Sequence, residues 1–324
     1  MIKRLIHISD VHIRNVKRHN EYDVVFERLF DYIDTVEDSA IVLTGDIVHS
    51  KTDMSPELIA MTSKFLKGCA DRRPTVLILG NHDFIKHRLD ALTPIVQSLN
   101  HPNLHYWKHS GVYSLEHIAF SVFSIADKPD SWVYAKDIDA KFKIALHHGP
   151  VVGALTDHGM DVGVHGLPVE YFDGFDLGIL GDIHRLQYLN KKKTIAYSSS
   201  LVGQNFAEHP TKHGILVWDL DTKKSKFVQI KSDYAYVTFD IDNGVDMPLD
   251  LPSKLRVRIR HENATPLEID SFVSDLGRKY EIVELIRQKV IKNNLLTLDR
   301  DKVLGDSRSI EYQNRIIADY LIPL

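Results

Sequence analysis

The sequence predicts an α/β protein, a four-layer α/β-β/α sandwich carrying a small α+β cap towards its C-terminal end. Three observations carry that reading. As far as about Leu104, short apolar runs alternate with stretches of helical spacing, which implies right-handed crossovers and a parallel sheet. These runs break off into glycine-marked turns rich in Asp, Asn and His. Beyond Leu104 the pattern becomes one of short extended segments, the mark of a second sheet packed on the first.

The elements follow in order. Arg4-Leu5-Ile6-His7-Ile8 is a first strand, and Ser9-Asp10-Val11-His12 the turn after it. Val25, Leu29, Ile33 and Val36 share a helical face over residues 22–36. Ala40-Ile41-Val42-Leu43 leads into Thr44-Gly45-Asp46-Ile47-Val48-His49, and Ser55-Pro56-Glu57 supplies an N-cap and a first-turn proline for a helix reaching about Cys69. Thr75-Val76-Leu77-Ile78 is a third strand, delivering Leu79-Gly80-Asn81-His82-Asp83 to its C-terminal edge. The second sheet opens with Gly111-Val112-Tyr113-Ser114-Leu115 and Ile118-Ala119-Phe120-Ser121-Val122-Phe123. Lys143-Ile144-Ala145-Leu146 then runs into His147-His148-Gly149-Pro150, and residues 175–180 into Gly181-Asp182-Ile183-His184. Residues 194–197, 214–220 and 226–230 read as strands, the last two joined by the hairpin Asp221-Thr222-Lys223-Lys224.

Asn243-Gly244 and the prolines Pro248 and Pro252 interrupt the apolar patterning, which divides the chain into a core (1–232), a cap (233–306) and a C-terminal helix (307–324). In the cap, Leu255, Val257 and Ile259 alternate with Arg256, Arg258 and Arg260, a half-buried strand with a basic outer face. Thr265-Pro266-Leu267-Glu268 is a capping box opening a helix with Ile269, Phe272, Val273 and Leu276 on one face, and residues 281–287 are a further strand.

Composition narrows the class. With 44% hydrophobic and 26% charged residues, the 324-residue chain is an ordinary globular protein. The single Cys69 excludes an internal disulfide framework and a cysteine-rich zinc site and fits a reducing compartment. No apolar run approaches the roughly 18 residues that span a bilayer, and the apolar start is too short for a signal peptide, so the expected location is intracellular and cytoplasmic, without a membrane. A net charge of −4 argues against a uniformly basic surface but leaves room for a local stripe, for which Lys191-Lys192-Lys193, Lys223-Lys224 with Lys226, and Arg256, Arg258 and Arg260 are the candidates.

The chemistry lies in the strand ends, where Asp10, His12, Asp46, His49, Asn81, His82, His147, Asp182 and His184 collect. In open parallel sheets ligands gather beyond the carboxyl ends of the strands. Polar groups buried there unpaired are costly, and amide, imidazole and carboxylate together ligate divalent cations. Two cations about 3.5–4 Å apart need roughly this many ligands, one carboxylate bridging them. The mixed donor set favours Mn²⁺, Fe²⁺ or Zn²⁺ over Mg²⁺. Of the neighbouring pair, spacing to Gly149 makes His147 the expected ligand and His148 a bystander.

Asp10-x-His12, Gly45-Asp46-x-x-His49, Gly80-Asn81-His82-Asp83, His147-x-Gly149 and Gly181-Asp182-x-His184 together resemble the ordered motifs of the calcineurin-like metallophosphoesterases. Within that superfamily the chain most resembles the SbcD-type nuclease, known in eukaryotes as the meiotic-recombination-eleven nuclease. The subfamily likeness rests on His49, on Leu180-Gly181-Asp182-Ile183-His184-Arg185-Leu186-Gln187, on Tyr197-Ser198-Ser199-Ser200-Leu201, and on Asn205-Phe206-Ala207-Glu208 and Lys212-His213-Gly214. It covers residues 1–230 closely and the cap loosely. The resemblance implies that Asp10, His12 and His184 bind one metal, that Asn81, His147 and Asp182 bind a second, and that Asp46 bridges. It makes His82, steered by Asp83, the group that stabilises the transition state or protonates the leaving oxygen, and puts His49 on the scissile phosphate. The family pattern has histidine where this chain has Asp182. The implied activity is manganese-dependent DNA hydrolysis, as 3′-to-5′ exonuclease and single-strand endonuclease at double-strand ends in repair and recombination, by a homodimer working with an SbcC-type coiled-coil ATPase. The alternatives are another phosphodiesterase or phosphatase of the superfamily and a catalytically weakened DNA-end-binding scaffold.

Overall fold

The structure, a computed structural model, describes residues 1–14, 16–85, 89–242, 245 and 250–290. The expected C-terminal helix, 307–324, and the cap residues 291–306 lie outside the described residues.

The first half-sandwich runs β1 (Arg4–Ile8), α1 (His19–Asp34), β2 (Ser39–Leu43), α2 (Pro56–Arg72), β3 (Thr75–Ile78), α3 (Thr93–Leu99) and β4 (Leu104–Trp107). β1 to β4 pair side by side and parallel. α2 begins where Ser55 Oγ accepts the Leu58 N–H at 3.3 Å, with Pro56 in the first turn. The second sheet is built from β5 (Gly111–Leu115), β6 (Ile118–Phe123), β7 (Phe142–His148), β8 (Leu177–Gly181), β9 (Gln187–Tyr188) and β10 (Ile195–Tyr197), in the order β5-β6-β7-β8-β10-β9. The chain then returns to the first sheet as the hairpin β11 (Gly214–Asp219) and β12 (Lys224–Gln229), which adds β11 antiparallel to β1.

Successive strand residues point into different cores, as period-two geometry requires. Leu5, Val42, Val76, Ile144, Leu146 and Ile179 pack between the sheets. Ile6, Ile41, Leu43 and Leu77 pack instead against Val25, Phe26, Leu29 and Phe65 of α1 and α2. On the far side of the second sheet, Ala145, Leu180, Ile195 and Tyr197 are covered by Phe172, Trp132, Tyr134 and Tyr171. Among the described residues the cover there consists of short 3-10 turns such as Pro129–Ser131, Ala135–Asp137 and Val169–Phe172, not of long helices. The two-sheet sandwich is thus as expected, with an outer fourth layer made of turns and aromatic side chains.

A separate three-stranded parallel sheet follows: β13 (Tyr234–Asp240), β14 (Lys254–His261) and, after α4 (Pro266–Gly277), β15 (Glu281–Lys289). The capping box forms, Thr265 Oγ1 accepting the Glu268 N–H and Glu268 Oε2 accepting the Thr265 N–H at 2.8 Å. The basic face of β14 departs from expectation. Arg256 is only 6% exposed, its Nη2 lies 2.9 Å from Glu21 Oε2 of α1, and its guanidinium stacks on Tyr234 and Tyr236. Arg258 lies over the Phe206 ring of the core, at 4.2 Å from its centroid. These two arginines contact core residues, and only Arg260 of the three is exposed.

Candidate metal centre

β1, β2 and β3 are neighbours in one sheet and β7 and β8 in the other, so their carboxyl ends converge on one edge. The turns there are tight enough to force non-glycine residues into left-handed backbone: Asp10 (φ 52°), His12 (φ 48°), Asp46 (φ 54°) and Asp182 (φ 99°). The Tyr22 hydroxyl of α1 holds the His12 turn by donating to its carbonyl. Gly80 is obligatory by contact, because a Cβ there would lie 2.0 Å from the Asp46 amide nitrogen.

The side chains form two lobes. In the first, His12 Nε2 and His184 Nε2 face each other at 3.1 Å and Asp10 Oδ1 lies 3.9 Å from His184 Nε2. In the second, His148 Nε2 lies 2.9 Å from Asn81 Oδ1 and 3.9 Å from Asp182 Oδ1. Asp46 spans both, with Oδ2 3.4 Å from His12 Nε2 and Oδ1 3.3 Å from His148 Nε2. Burial opposes ionisation of Asp46, but His148 and His12 outweigh it and hold the carboxyl well below the usual range. Burial pushes Asp10 up to about 6 and His12 down. Ligand atoms of Asp10, His12 and His184, and of Asp10, Asp46 and His148, lie within 4.8 Å of one another. Imidazole nitrogens turned on each other around shared carboxylates are the donor arrangement a divalent cation fits.

At two positions the geometry differs from expectation. His147 points away from the cluster, its Nδ1–H donating to the Phe123 carbonyl at 2.8 Å and its ring packed on Trp132. His148 takes its place. Its Nδ1–H donates to the Thr44 carbonyl at 2.6 Å, which leaves Nε2 as the lone-pair nitrogen turned to the site. Strand parity explains the exchange: His148 follows Ile144 and Leu146 on the face between the sheets, whereas His147 follows Ala145 on the outer face.

Asp83 likewise does not steer His82. Its buried carboxylate accepts the backbone N–H groups of Asp46, Ile47, Val48 and Gly80 at 2.8–3.0 Å, clamping the loop that carries Asp46. The His82 ring is set by the His49 backbone, its Nδ1–H donating to that carbonyl at 2.7 Å, and its own N–H donates to Asp46 Oδ1. The His49 and His82 rings stack at 5.4 Å, and His82 meets the edge of His12 at 4.7 Å. Burial, then the nearby Arg14 charge, lowers His49 to about 4.

Glu208 was missed as a functional residue. It accepts from His184 Nδ1 at 2.9 Å, and its remaining bonds come from Ser200 Oγ, the Gln204 N–H and Asn205 Nδ2. Such a carboxylate fixes the tautomer and aim of a ligating imidazole. Burial lowers the His184 pKa, but the Glu208 bond and the Asp10 charge outweigh it and raise it to about 9. The sign follows: in the cation-free protein, protonated His184 stabilises the fold fully below about 6.5, and this is lost as pH rises through about 9. A cation must displace that proton. Uptake is therefore expected to release protons and to strengthen between pH 6.5 and about 9, measured by titration calorimetry in buffers of different ionisation enthalpy.

Residues 3–186 match the family described as calcineurin-like phosphoesterase. The chain belongs to the calcineurin-like phosphoesterase family. The two lobes, each with side chains that could hold a metal ion, lie at the strand ends of the matched region or, for His184, close to one. The chain is 42% identical over 320 residues to an uncharacterized protein of Acanthamoeba polyphaga mimivirus, covering 93% of the chain and 24% of that protein's length. A crystal structure of the Pseudomonas putida nuclease MPE is similar over 46% of this chain and 62% of the other, at 22% identity and a TM-score of 0.28. That overlap leaves the assignment resting on the family match. Among the described residues, no helix is long and apolar enough to cross a membrane.

Proposed function

We propose that this phosphoesterase is a DNA nuclease, acting with two divalent cations, Mn²⁺ for preference, on the phosphodiester bonds of double-strand ends in repair and recombination. The 3′-to-5′ exonuclease and single-strand endonuclease modes, an SbcC-type ATPase partner, a homodimer and a DNA-associated intracellular location belong to the same proposal. The observation that best supports hydrolysis is Asp46, its two oxygens turned to separate histidine lobes beside the His49–His82 pair. The subfamily motifs around Asp182, Ser199 and Glu208 support DNA as substrate.

The residues divide the work. Asp10, His12, Asp46 and His184 would hold one cation, and Asp46, Asn81, His148 and Asp182 the other. Cations there supply Lewis-acid activation of water and neutralise charge on the phosphoryl group. His82, fixed through Nδ1 by the His49 carbonyl, presents its other nitrogen as the proton donor to the leaving oxygen. His49 sets the phosphate beside it. Asp182 contributes a carboxylate in place of imidazole, which makes its lobe more anionic and suits a hard cation such as Mn²⁺.

The test is cleavage of end-labelled duplex and single-stranded DNA with Mn²⁺, Mg²⁺ or chelator. Manganese-dependent degradation is expected, abolished by chelator, and His82→Ala should slow it by ~10²–10⁴-fold while both cations still bind. DNA bound but never cut would replace this reading with the end-binding scaffold. Turnover of small phosphodiesters or phosphopeptides in preference to DNA would replace it with another activity of the family. Analytical ultracentrifugation with and without the ATPase tests the assembly.

A further inference from the structure

We propose that the cavity between the core and the cap is a nucleoside subsite, taking the nucleotide that flanks the scissile phosphate, with Arg256 Nη1 donating to an acceptor on the base. The inference rests on the phosphodiesterase reading and adds a recognition site to it. The cavity has a volume of about 950 Å³ and is lined by His49 and by Arg14, Lys17, Tyr236, Arg256 and Val283. His49 belongs to the metal centre as well, so an occupant would adjoin the reacting phosphate. That volume lies within the ~300–1,000 Å³ usual for sites that enclose small organic ligands.

Arg256 makes the cavity more than a gap. Its Nη2 lies 2.9 Å from Glu21 Oε2, an oxygen that also accepts from Arg18 Nε at 2.9 Å, its Nε lies 3.9 Å from Glu284, and its plane is held against the Tyr234 and Tyr236 rings. Nη1 is buried and has no hydrogen-bond partner among the described residues, and the same is true of His49 Nδ1. A buried donor without an acceptor is costly, and arginine N–H groups in this state are uncommon. With carboxylates already on Nη2 and Nε and the guanidinium plane fixed by the tyrosines, the spare Nη1–H suits the carbonyl or ring nitrogen of a base. Among the described residues Arg14 is bonded to the neutral Gln204, at 3.2 and 3.4 Å, and with Lys17 it supplies the cationic end for a flanking phosphate. Tyr234, Tyr236 and Val283 contribute apolar lining beside Arg256, against which a base packs.

Two variants test this without relying on one side chain. Arg256→Lys keeps a cation for Glu21 but removes Nη1, and Val283→Trp fills the cavity from a residue that is 41% exposed. Binding is measured first with chelator present, using deoxyguanosine 5′-monophosphate and a single-stranded hexanucleotide, alongside thermal melting to verify folding. Each variant, once shown to be folded, is expected to bind the hexanucleotide ~10-fold more weakly than the native chain. With Mn²⁺, its preference for the hexanucleotide over bis(p-nitrophenyl) phosphate should fall by a similar factor. Monophosphate binding as tight as that of the hexanucleotide would assign the subsite to free nucleotides, and weaker binding to a strand. Native-strength binding by both folded variants overturns the subsite, whatever the hydrolysis shows. Loss of binding in the variants of a protein that hydrolyses nothing would keep the subsite and remove the nuclease reading.

Discussion

On the two-cation proposal, replacing His148 with alanine is expected to leave a protein that binds one divalent cation tightly instead of two, and that hydrolyses phosphodiesters about 10³-fold more slowly than the native chain. His147→Ala should bind both cations and lose no more than about 10-fold, the range in which a packing neighbour acts. The contrast follows from where the two rings spend their nitrogens. His148 gives Nδ1 to the Thr44 carbonyl and turns Nε2 on Asn81, Asp46 and Asp182. His147 gives Nδ1 to Phe123 on the opposite face of β7. Metal stoichiometry after dialysis, with kcat/KM on bis(p-nitrophenyl) phosphate, decides it. One cation and a 10³-fold loss in His147→Ala, with His148→Ala near native, would reverse the assignment.

Asp83→Ala carries the largest expected effect on stability, a loss of about 3–5 kcal/mol. The carboxylate is 1% exposed and accepts four backbone N–H groups, three of them from the Asp46 loop. Removing it leaves those donors buried and unpaired. It also frees Asp46 to move relative to both lobes, so cation affinity should fall together with stability. Asp83→Asn returns one acceptor oxygen but sets an amide NH₂ against N–H groups, and should recover less than half of the loss. Urea unfolding monitored with and without Mn²⁺ measures both effects. A loss under about 1 kcal/mol would mean that the loop holds its shape without the carboxylate.

Much of this site was legible because parallel strands must hand the chain to helices through tight turns. Glycine followed by Asp, Asn or His at such turns is hard to explain by packing. The differences between expected and observed placement share one physical origin, which is that neighbours in sequence are not neighbours in space. His147 and His148 sit on a strand buried on both faces, where Ile144, Ala145 and Leu146 follow one another without a polar break, so hydrophobicity alone shows no inward side. Counting parity from Ile144 and Leu146 would have chosen His148. Asp83 next to His82 was read as its partner, yet their side chains serve different structures. Glu208 lies 24 residues from His184 and reaches it only through the folded core, so no local spacing announced it. The alternation in β14 identified the arginine face, but nothing in the cap's own sequence could place Glu21 of α1 opposite Arg256.

The left-handed turns at Asp10, His12, Asp46 and Asp182 have an evolutionary consequence. Each holds a branched or bulky side chain where glycine would be relaxed, at a cost of the order of 1 kcal/mol per residue. Glycine at any of these positions would ease the backbone while deleting a ligand. Selection for stability alone would therefore erode the site. Lineages that no longer need hydrolysis should lose these residues first, keeping the same fold in a firmer form.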